Sequence, residues 1–226
     1  MPQPDQLPLP LPHRPAMGRD DFLVADSNRA AVGWIDRWPD WPGPLLGLYG
    51  PEGSGKSHLM TVWCTRSGAR RLSGEALTGL DPAALAGHGA IAIDDADGLR
   101  DEHTLLHLYN LLREAGGHLL LAARPPVARW PLSLPDLRSR LAAGVSVGLE
   151  PPDDALLAAV LAKLFQDRQV AVRREVVQYL VARMERSFAM AARLVDELDR
   201  ISLSGQRAIS IPLARDAMNA VNPPGR

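Results

Sequence analysis

The chain has 226 residues, of which 46% are hydrophobic and 23% are charged, a composition typical of a globular protein. A net charge of −1 gives no general attraction to nucleic acid, so only a local basic patch could bind it electrostatically. The single cysteine, Cys64, excludes an internal disulfide framework. The sequence shows no secretory signal and no long apolar span, so we expect a cytoplasmic protein without membrane contact.

Proline dominates the start of the chain. The first 17 residues hold six prolines and no helical period, which predicts a flexible tail over 1–17. Polar residues at 26–28 offer caps for a helix over 30–37. A stiff turn at 38–44, rich in tryptophan and proline, then leads toward the first strand, and we expect its tryptophans to pack in the core.

Strand and helix patterns alternate from residue 45 to residue 149, which is typical of a parallel sheet covered by helices. After a proline break at 150–153, only helical periodicity remains. These patterns predict an α/β core over 18–150 with a five-stranded parallel sheet and helices on both faces, followed by a small all-helical lid over 151–226. The predicted strands are 45–49, 70–72, 90–94, 119–123 and 145–149, and the predicted helices are 57–64, 81–85, 102–115, 135–141, 154–166, 173–183, 188–203 and 213–220.

A glycine-rich loop stands between the first strand and the next helix. Segment 50–57 fits the pattern G-x-x-x-x-G-K-[ST], in which backbone N–H groups and a helix N-terminus surround phosphate oxygens. The lysine would reach the outer phosphates, and the final serine would hold Mg²⁺. The predicted nucleotide-binding residues of this loop are Pro51, Glu52, Gly53, Ser54, Gly55, Lys56, Ser57 and His58.

Two acids stand at the end of the apolar strand 90–94. We expect Asp94 to orient Mg²⁺ together with Ser57, and Asp95 to position or activate an attacking water. Two arginines, Arg138 and Arg140, lie on the short helix before the last strand. Either could deliver a guanidinium to a neighbour's nucleotide, although spacing alone favours a solvated or salt-bridged pair.

His103 and His107 lie four residues apart on one predicted helix, as metal ligands often do. The sequence offers no third ligand near them and no H-E-x-x-H order, so we do not expect a zinc site.

The order of these motifs resembles the AAA+ ATPases, and within them the DnaA initiator clade and its Hda-type regulatory family. The resemblance covers about residues 20–220. It rests on the paired aspartates and on segments 22–28, 124–126, 134–137, 139–141, 198–200, 206–207 and 211–212.

The resemblance implies roles for several residues. By this resemblance, the adenine side of the site is formed by Phe22, Leu23, Val24 and Asn28. Arg140 would be an arginine finger that acts on DnaA. Segment 6–11 is similar to the hexapeptide that binds the DNA polymerase sliding clamp, differing from it only at Pro8. Its predicted contacts are Gln6, Leu7, Leu9, Pro10 and Leu11.

The chain departs from the family pattern at two positions. Ala123 stands where the strand usually ends in a polar sensor, and Ala189 stands where the lid usually carries a sensor arginine. Arg193, one turn further along that helix, could substitute for the second sensor. We therefore expect binding of ADP or ATP with slow intrinsic hydrolysis.

The function predicted from the sequence is negative regulation of replication initiation by a clamp-tethered protein that stimulates hydrolysis of DnaA-bound ATP. The chain ends soon after the lid, without the DNA-binding domain of DnaA initiators, so we expect no sequence-specific DNA binding. The alternative is a nucleotide-gated replication adaptor or loader module without stimulatory chemistry. Self-association is left open, because AAA+ neighbours often share a site.

Overall fold

The computed structural model describes residues 23–205 and 208–221. The predicted tail and its clamp-binding hexapeptide lie outside the described residues, as does Phe22.

Five parallel strands form one sheet in the order β2-β3-β4-β1-β5. Strand β1 pairs with β4 on one side and with β5 on the other, and its register places Tyr49 opposite Ala123 and Gly148. The carboxyl ends of β1 and β4 therefore meet at one edge, as parallel pairing requires. The strands are β1 (Leu45–Tyr49), β2 (Arg70–Ser73), β3 (Ala90–Asp94), β4 (His118–Ala123) and β5 (Val145–Gly148).

Helices cover both faces of the sheet, because β1, β3 and β4 are apolar on both sides. Neighbouring residues of β1 point to opposite faces: Leu45 packs on one side, and Leu46 packs on the other. The core helices are α1 (Arg29–Asp36), α2 (Lys56–Ser67), α3 (Pro82–Ala86), α4 (Glu102–Ala115) and α5 (Pro135–Ala143).

The tryptophans pack where α1, α2 and the turn at 38–44 meet. Trp41 and Trp63 stack with ring centroids 5.5 Å apart, and Trp38 meets Trp63 edge-on at 6.3 Å. The guanidinium of Arg66 donates to the carbonyl oxygens of Asp36 and Trp38 at 3.0 and 2.8 Å. These tryptophans contribute to the core.

The lid has a separate apolar core, formed by one face of each of its helices. Large buried side chains of this core include Phe165, Leu180 and Leu198. The lid helices are α6 (Asp154–Asp167), α7 (Arg174–Val181), α8 (Phe188–Gly205) and α9 (Ile211–Val221). The predicted fold class, a five-stranded parallel sheet with helices and a helical lid, is confirmed.

Three short 3-10 helices were not predicted, namely Glu75–Leu77, Ala96–Gly98 and Val127–Arg129. Each follows the carboxyl end of a strand, and segments this short carry no readable periodicity. Among the described residues, no helix is long and apolar enough to span a bilayer.

Candidate functional site

The phosphate loop connects β1 to α2 and takes its shape from three glycines. Gly50, Gly53 and Gly55 have φ angles of +154°, +74° and +98°, which L side chains rarely adopt. Gly55 caps the N-terminus of α2, so the free N–H groups of its first turn lie at the end of the loop. The loop therefore combines left-handed glycines with a helix N-terminus, as a phosphate cradle requires.

Two polar side chains of this loop are buried. Lys56 is 8% exposed, and its Nζ donates to the carbonyl oxygens of Gly50 and Pro51, each at 2.8 Å. The Ser54 hydroxyl is buried and has no hydrogen-bond partner in the described part of the chain. A buried hydroxyl without a partner costs free energy, and a bound phosphate oxygen would satisfy it. The loop therefore fits a phosphate group.

The paired aspartates lie beside the loop. Burial lowers the pKa of Lys56, while the negative charges of Asp94 and Asp95 act in the opposite direction. Asp95 is exposed and adopts the left-handed conformation at φ +45°, and its N–H donates to Asp94 Oδ1 at 3.1 Å. The charges of both acids therefore act on the loop lysine, whose ammonium group binds the carbonyl oxygens of Gly50 and Pro51.

Of the two predicted magnesium ligands, Ser57 is open to solvent and Asp94 is bound by an arginine. Ser57 is exposed in the first turn of α2. Asp94, however, forms an ion pair with Arg71 of β2, so its carboxylate is already engaged. As they stand, these side chains do not fit a cation held by both Ser57 and Asp94. The described residues contain no cluster of three or more His, Cys, Asp or Glu side chains suited to a metal.

Strand β4 ends in an alanine at the position where the family resemblance places a polar sensor. Ala123 is 2% exposed at the end of β4. The next residue, Arg124, accepts a hydrogen bond from the Gly50 N–H at 3.1 Å through its carbonyl oxygen, and its guanidinium pairs with Glu52 at 2.8 Å. Since Glu52 is a loop residue, the pair links the end of β4 to the phosphate loop.

The lid rests directly on the loop glycines. The Phe188 N–H donates to the carbonyl oxygen of Gly53 at 3.2 Å. A Cβ at Gly53 would lie 2.2 Å from the Cβ of Ser187, and one at Gly55 would lie 3.0 Å from the Phe188 ring. The predicted sensor positions Ala189 and Arg193 follow on the same helix, and both are exposed.

The segment before α1 is organised by Asn28, which is 2% exposed. Its side-chain oxygen accepts from the Ala25 N–H, and its amide donates to the Leu23 carbonyl, each at 2.9 Å. Val24 is 46% exposed between these contacts. Asn28 thus fixes the backbone of the predicted adenine side.

The two arginines of α5 have different partners. Arg138 donates to the carbonyl oxygen of Leu132. Arg140 donates to Asp136 Oδ1 at 3.0 Å, and its guanidinium carbon lies 5.9 Å from the centre of the Tyr109 ring. Its side chain is 24% exposed, so part of it remains open to solvent.

Sequence reasoning missed three residues that contact the site: Arg71, Ser187 and Phe188. Arg71 lies on a short strand with no motif of its own, and only the strand order brings it beside Asp94. Ser187 and Phe188 resemble an ordinary helix start, because Ser187 Oγ accepts from the Met190 N–H at 3.1 Å.

Comparison with known proteins agrees with this description. Residues 154–218 match the family model described as Hda, lid domain. Domain III of the Thermotoga maritima replication initiation protein DnaA is similar with a TM-score of 0.77 at 17% identity, over 95% of this chain and 100% of that chain. AMPPCP-bound DnaA from Aquifex aeolicus gives a TM-score of 0.68 at 18% identity, over 85% and 68%. A point variant of Thermotoga maritima RuvB gives a TM-score of 0.69 at 16% identity, over 91% and 72%.

A phosphate loop, a parallel sheet with this strand order and a helical lid give the chain the AAA+ fold. Within that fold, the lid over residues 154–218 is of the Hda type.

Proposed function

We propose that this protein is a negative regulator of replication initiation that binds an adenine nucleotide, docks on the sliding clamp and stimulates hydrolysis of DnaA-bound ATP. The observation that carries the nucleotide part is the loop with its left-handed glycines, buried Lys56 and unpaired Ser54 hydroxyl. The Hda-type lid supports the regulatory part.

The nucleotide would be held chiefly at its inner phosphates. The N–H groups at the start of α2 and the Lys56 ammonium supply positive charge there. Asn28 would keep Leu23 and Val24 in position beside the base. The AMPPCP-bound DnaA neighbour is consistent with an adenine nucleotide as the ligand, either ADP or ATP.

Intrinsic hydrolysis would be slow. Asp95 remains the predicted group for water, but an alanine occupies each predicted sensor position, and Arg193 stays the candidate substitute. Magnesium at Ser57 and Asp94, as the sequence predicts it, would require Asp94 to leave Arg71. No step of the proposed mechanism depends on the ion.

The stimulatory group would be Arg140. A guanidinium directed at another subunit's nucleotide neutralises the charge that develops during phosphoryl transfer. The partly exposed pair of Arg140 with Asp136 is of a kind that contributes only about 0–1 kcal/mol, so a partner could displace it at little cost. Glu102 holds the segment that leads into this helix, since its carboxylate accepts from the N–H groups of Ser133 and Leu134 at 2.8 Å each.

The decisive experiment measures hydrolysis of DnaA-bound ATP in the presence of DNA-loaded clamp. Wild-type protein should stimulate hydrolysis, Arg140→Ala should abolish the stimulation, and Arg138→Ala on the same helix should retain most of it. Full stimulation by Arg140→Ala would remove Arg140 from this role. Absence of stimulation by the wild-type protein would favour the adaptor or loader alternative, with which the pairing of Arg140 within its own chain is consistent.

Clamp docking is tested separately by a pull-down. The Gln6→Ala and Leu9→Ala changes should each weaken capture by the clamp, because they remove an orienting hydrogen bond and an apolar anchor. Unchanged capture would show that the tail is not the anchor. A change at Pro8, which departs from the hexapeptide pattern, serves as the matched control.

A further inference from the structure

Arg71 of β2 bridges two elements of the nucleotide site. One guanidinium nitrogen pairs with Asp94 Oδ2 at the end of β3, and the other donates to Thr61 Oγ1 of α2 at 3.0 Å. The Thr61 hydroxyl in turn donates to the Ser57 carbonyl at 2.8 Å, one turn earlier on α2. The guanidinium therefore lies between Asp94 and the helix that begins with the phosphate loop.

Both oxygens of the Asp94 carboxylate have partners. Oδ2 is held by Arg71, and Oδ1 accepts from the Asp95 N–H at 3.1 Å. The Asp94 side chain is 14% exposed, whereas that of Arg71 is 40% exposed. A partly buried carboxylate with an arginine partner already has its charge compensated, and a second cation gains less by approaching it.

A fixed guanidinium also repels other cations. Like charges within about 4–6 Å disfavour one another by amounts equivalent to at least a tenfold change in an equilibrium. A divalent ion that reached Asp94 would have to displace Arg71 or accept that repulsion. Arg71 thus supplies, from the protein itself, positive charge that a metal would otherwise bring.

We propose that Arg71 takes the place of magnesium at Asp94 and makes binding of a nucleoside diphosphate independent of the metal. This inference rests on the proposed binding of a nucleotide at the phosphate loop. A diphosphate suits such a site because it lacks the outer phosphate, for which neither predicted sensor position offers a polar side chain. Arg71 is therefore a positioning residue that selects the metal-free ligand.

The test measures the dissociation constant of fluorescently labelled ADP for the full chain, once with Mg²⁺ and once with EDTA. Wild-type protein should change its affinity by less than about threefold, whereas Arg71→Met should bind at least about tenfold more weakly in EDTA than in Mg²⁺. Arg70→Met is the matched control, because Arg70 is the preceding residue of the same strand and its contact is with His88. It should behave as the wild type does.

Each outcome decides the matter. A wild-type affinity that falls tenfold or more in EDTA overturns the inference while leaving nucleotide binding intact. A small metal effect shared by the wild type and Arg71→Met also overturns it, because Arg71 is then not the cause. Absence of ADP binding in both conditions overturns the inference together with the proposed function. If circular dichroism shows Arg71→Met to be unfolded, Arg71→Gln, which keeps N–H donors without the charge, should show the same metal dependence.

Discussion

The two halves of the candidate nucleotide site differ in chemistry. The half between β1 and α2 holds left-handed glycines, a buried lysine and a buried hydroxyl that has no hydrogen-bond partner among the described residues. The half formed by the end of β4 and the start of α8 offers Ala123 and Ala189 at the two positions where the family resemblance expects sensors. The groups of the first half can bind phosphates. The alanines of the second half have no polar group that could stabilise the transition state of phosphate cleavage. This difference is the basis of the proposal that the site retains nucleotide and hydrolyses it slowly.

The two halves meet where the lid touches the loop. Phe188 and Ser187 contact Gly55 and Gly53 through van der Waals packing and one backbone hydrogen bond. An apolar ring therefore lies against the loop beside the position where the resemblance expects an arginine. The lid thus contacts the loop through packing and one backbone hydrogen bond, and the candidate substitute sensor Arg193 lies one turn further along the same helix.

The largest expected effect comes from removing the lysine of the phosphate-binding half, between β1 and α2. Lys56→Ala should weaken ADP binding by about 100-fold, equivalent to ~2.7 kcal/mol, because it removes the buried ammonium to which the proposed function assigns the phosphates. Isothermal titration calorimetry measures the change. Lys163→Ala is the control, since Lys163 is the chain's other lysine and pairs with Asp167 on α6 of the lid. Equal affinity of the two variants would mean that the loop does not hold the nucleotide.

A second prediction concerns the contact between the two halves. Gly53 and Gly79 have nearly equal φ angles of +74° and +76°, but only Gly53 is crowded: an added Cβ would meet Ser187, whereas Gly79 has open space. Gly53→Ala should therefore lower the free energy of unfolding by roughly 1–3 kcal/mol more than Gly79→Ala, in excess of the backbone strain that both share. Urea denaturation compares them. Equal destabilisation would show that the lid does not rest on the loop in solution.

Most of the fold could be predicted because its elements depend on local patterns. The strand Leu45–Tyr49, the strand Ala90–Asp94 and the helix Glu102–Ala115 begin and end where apolar runs and caps predicted. The phosphate loop could be predicted for the same reason, because its conformation depends on glycines that the sequence itself shows. Arg71, Ser187 and Phe188 were missed because their importance depends on strand order and lid position, which no local pattern encodes.

A third prediction concerns the half formed by the end of β4 and the start of α8, where alanines occupy the predicted sensor positions. Ala189→Arg should raise ATP hydrolysis by the purified protein about 10- to 30-fold, which corresponds to a transition-state stabilisation of ~1.4–2 kcal/mol by the added guanidinium. Residue 189 is exposed and directly follows Phe188, so a long side chain there meets no buried surface. Steady-state phosphate release measures the rate. Ala220→Arg, at an exposed position of α9, is the control; equal rates in the two variants would show that the missing sensor is not what limits hydrolysis.

The smallest expected effect concerns Arg140, the group whose proposed target lies in another molecule. Asp136→Asn removes the carboxylate that holds the guanidinium at 3.0 Å, and since the Asp136 side chain is 57% exposed, the free energy of unfolding should change by less than about 1 kcal/mol. Stimulation of DnaA-bound ATP hydrolysis should stay equal or rise about twofold, because a freed arginine needs no displacement before it binds its target. Urea denaturation and the hydrolysis assay measure the two quantities. If Asp136→Asn abolished stimulation as completely as Arg140→Ala, the ion pair itself would be the active element, and Arg140 would act by shaping α5 rather than by reaching the nucleotide of DnaA.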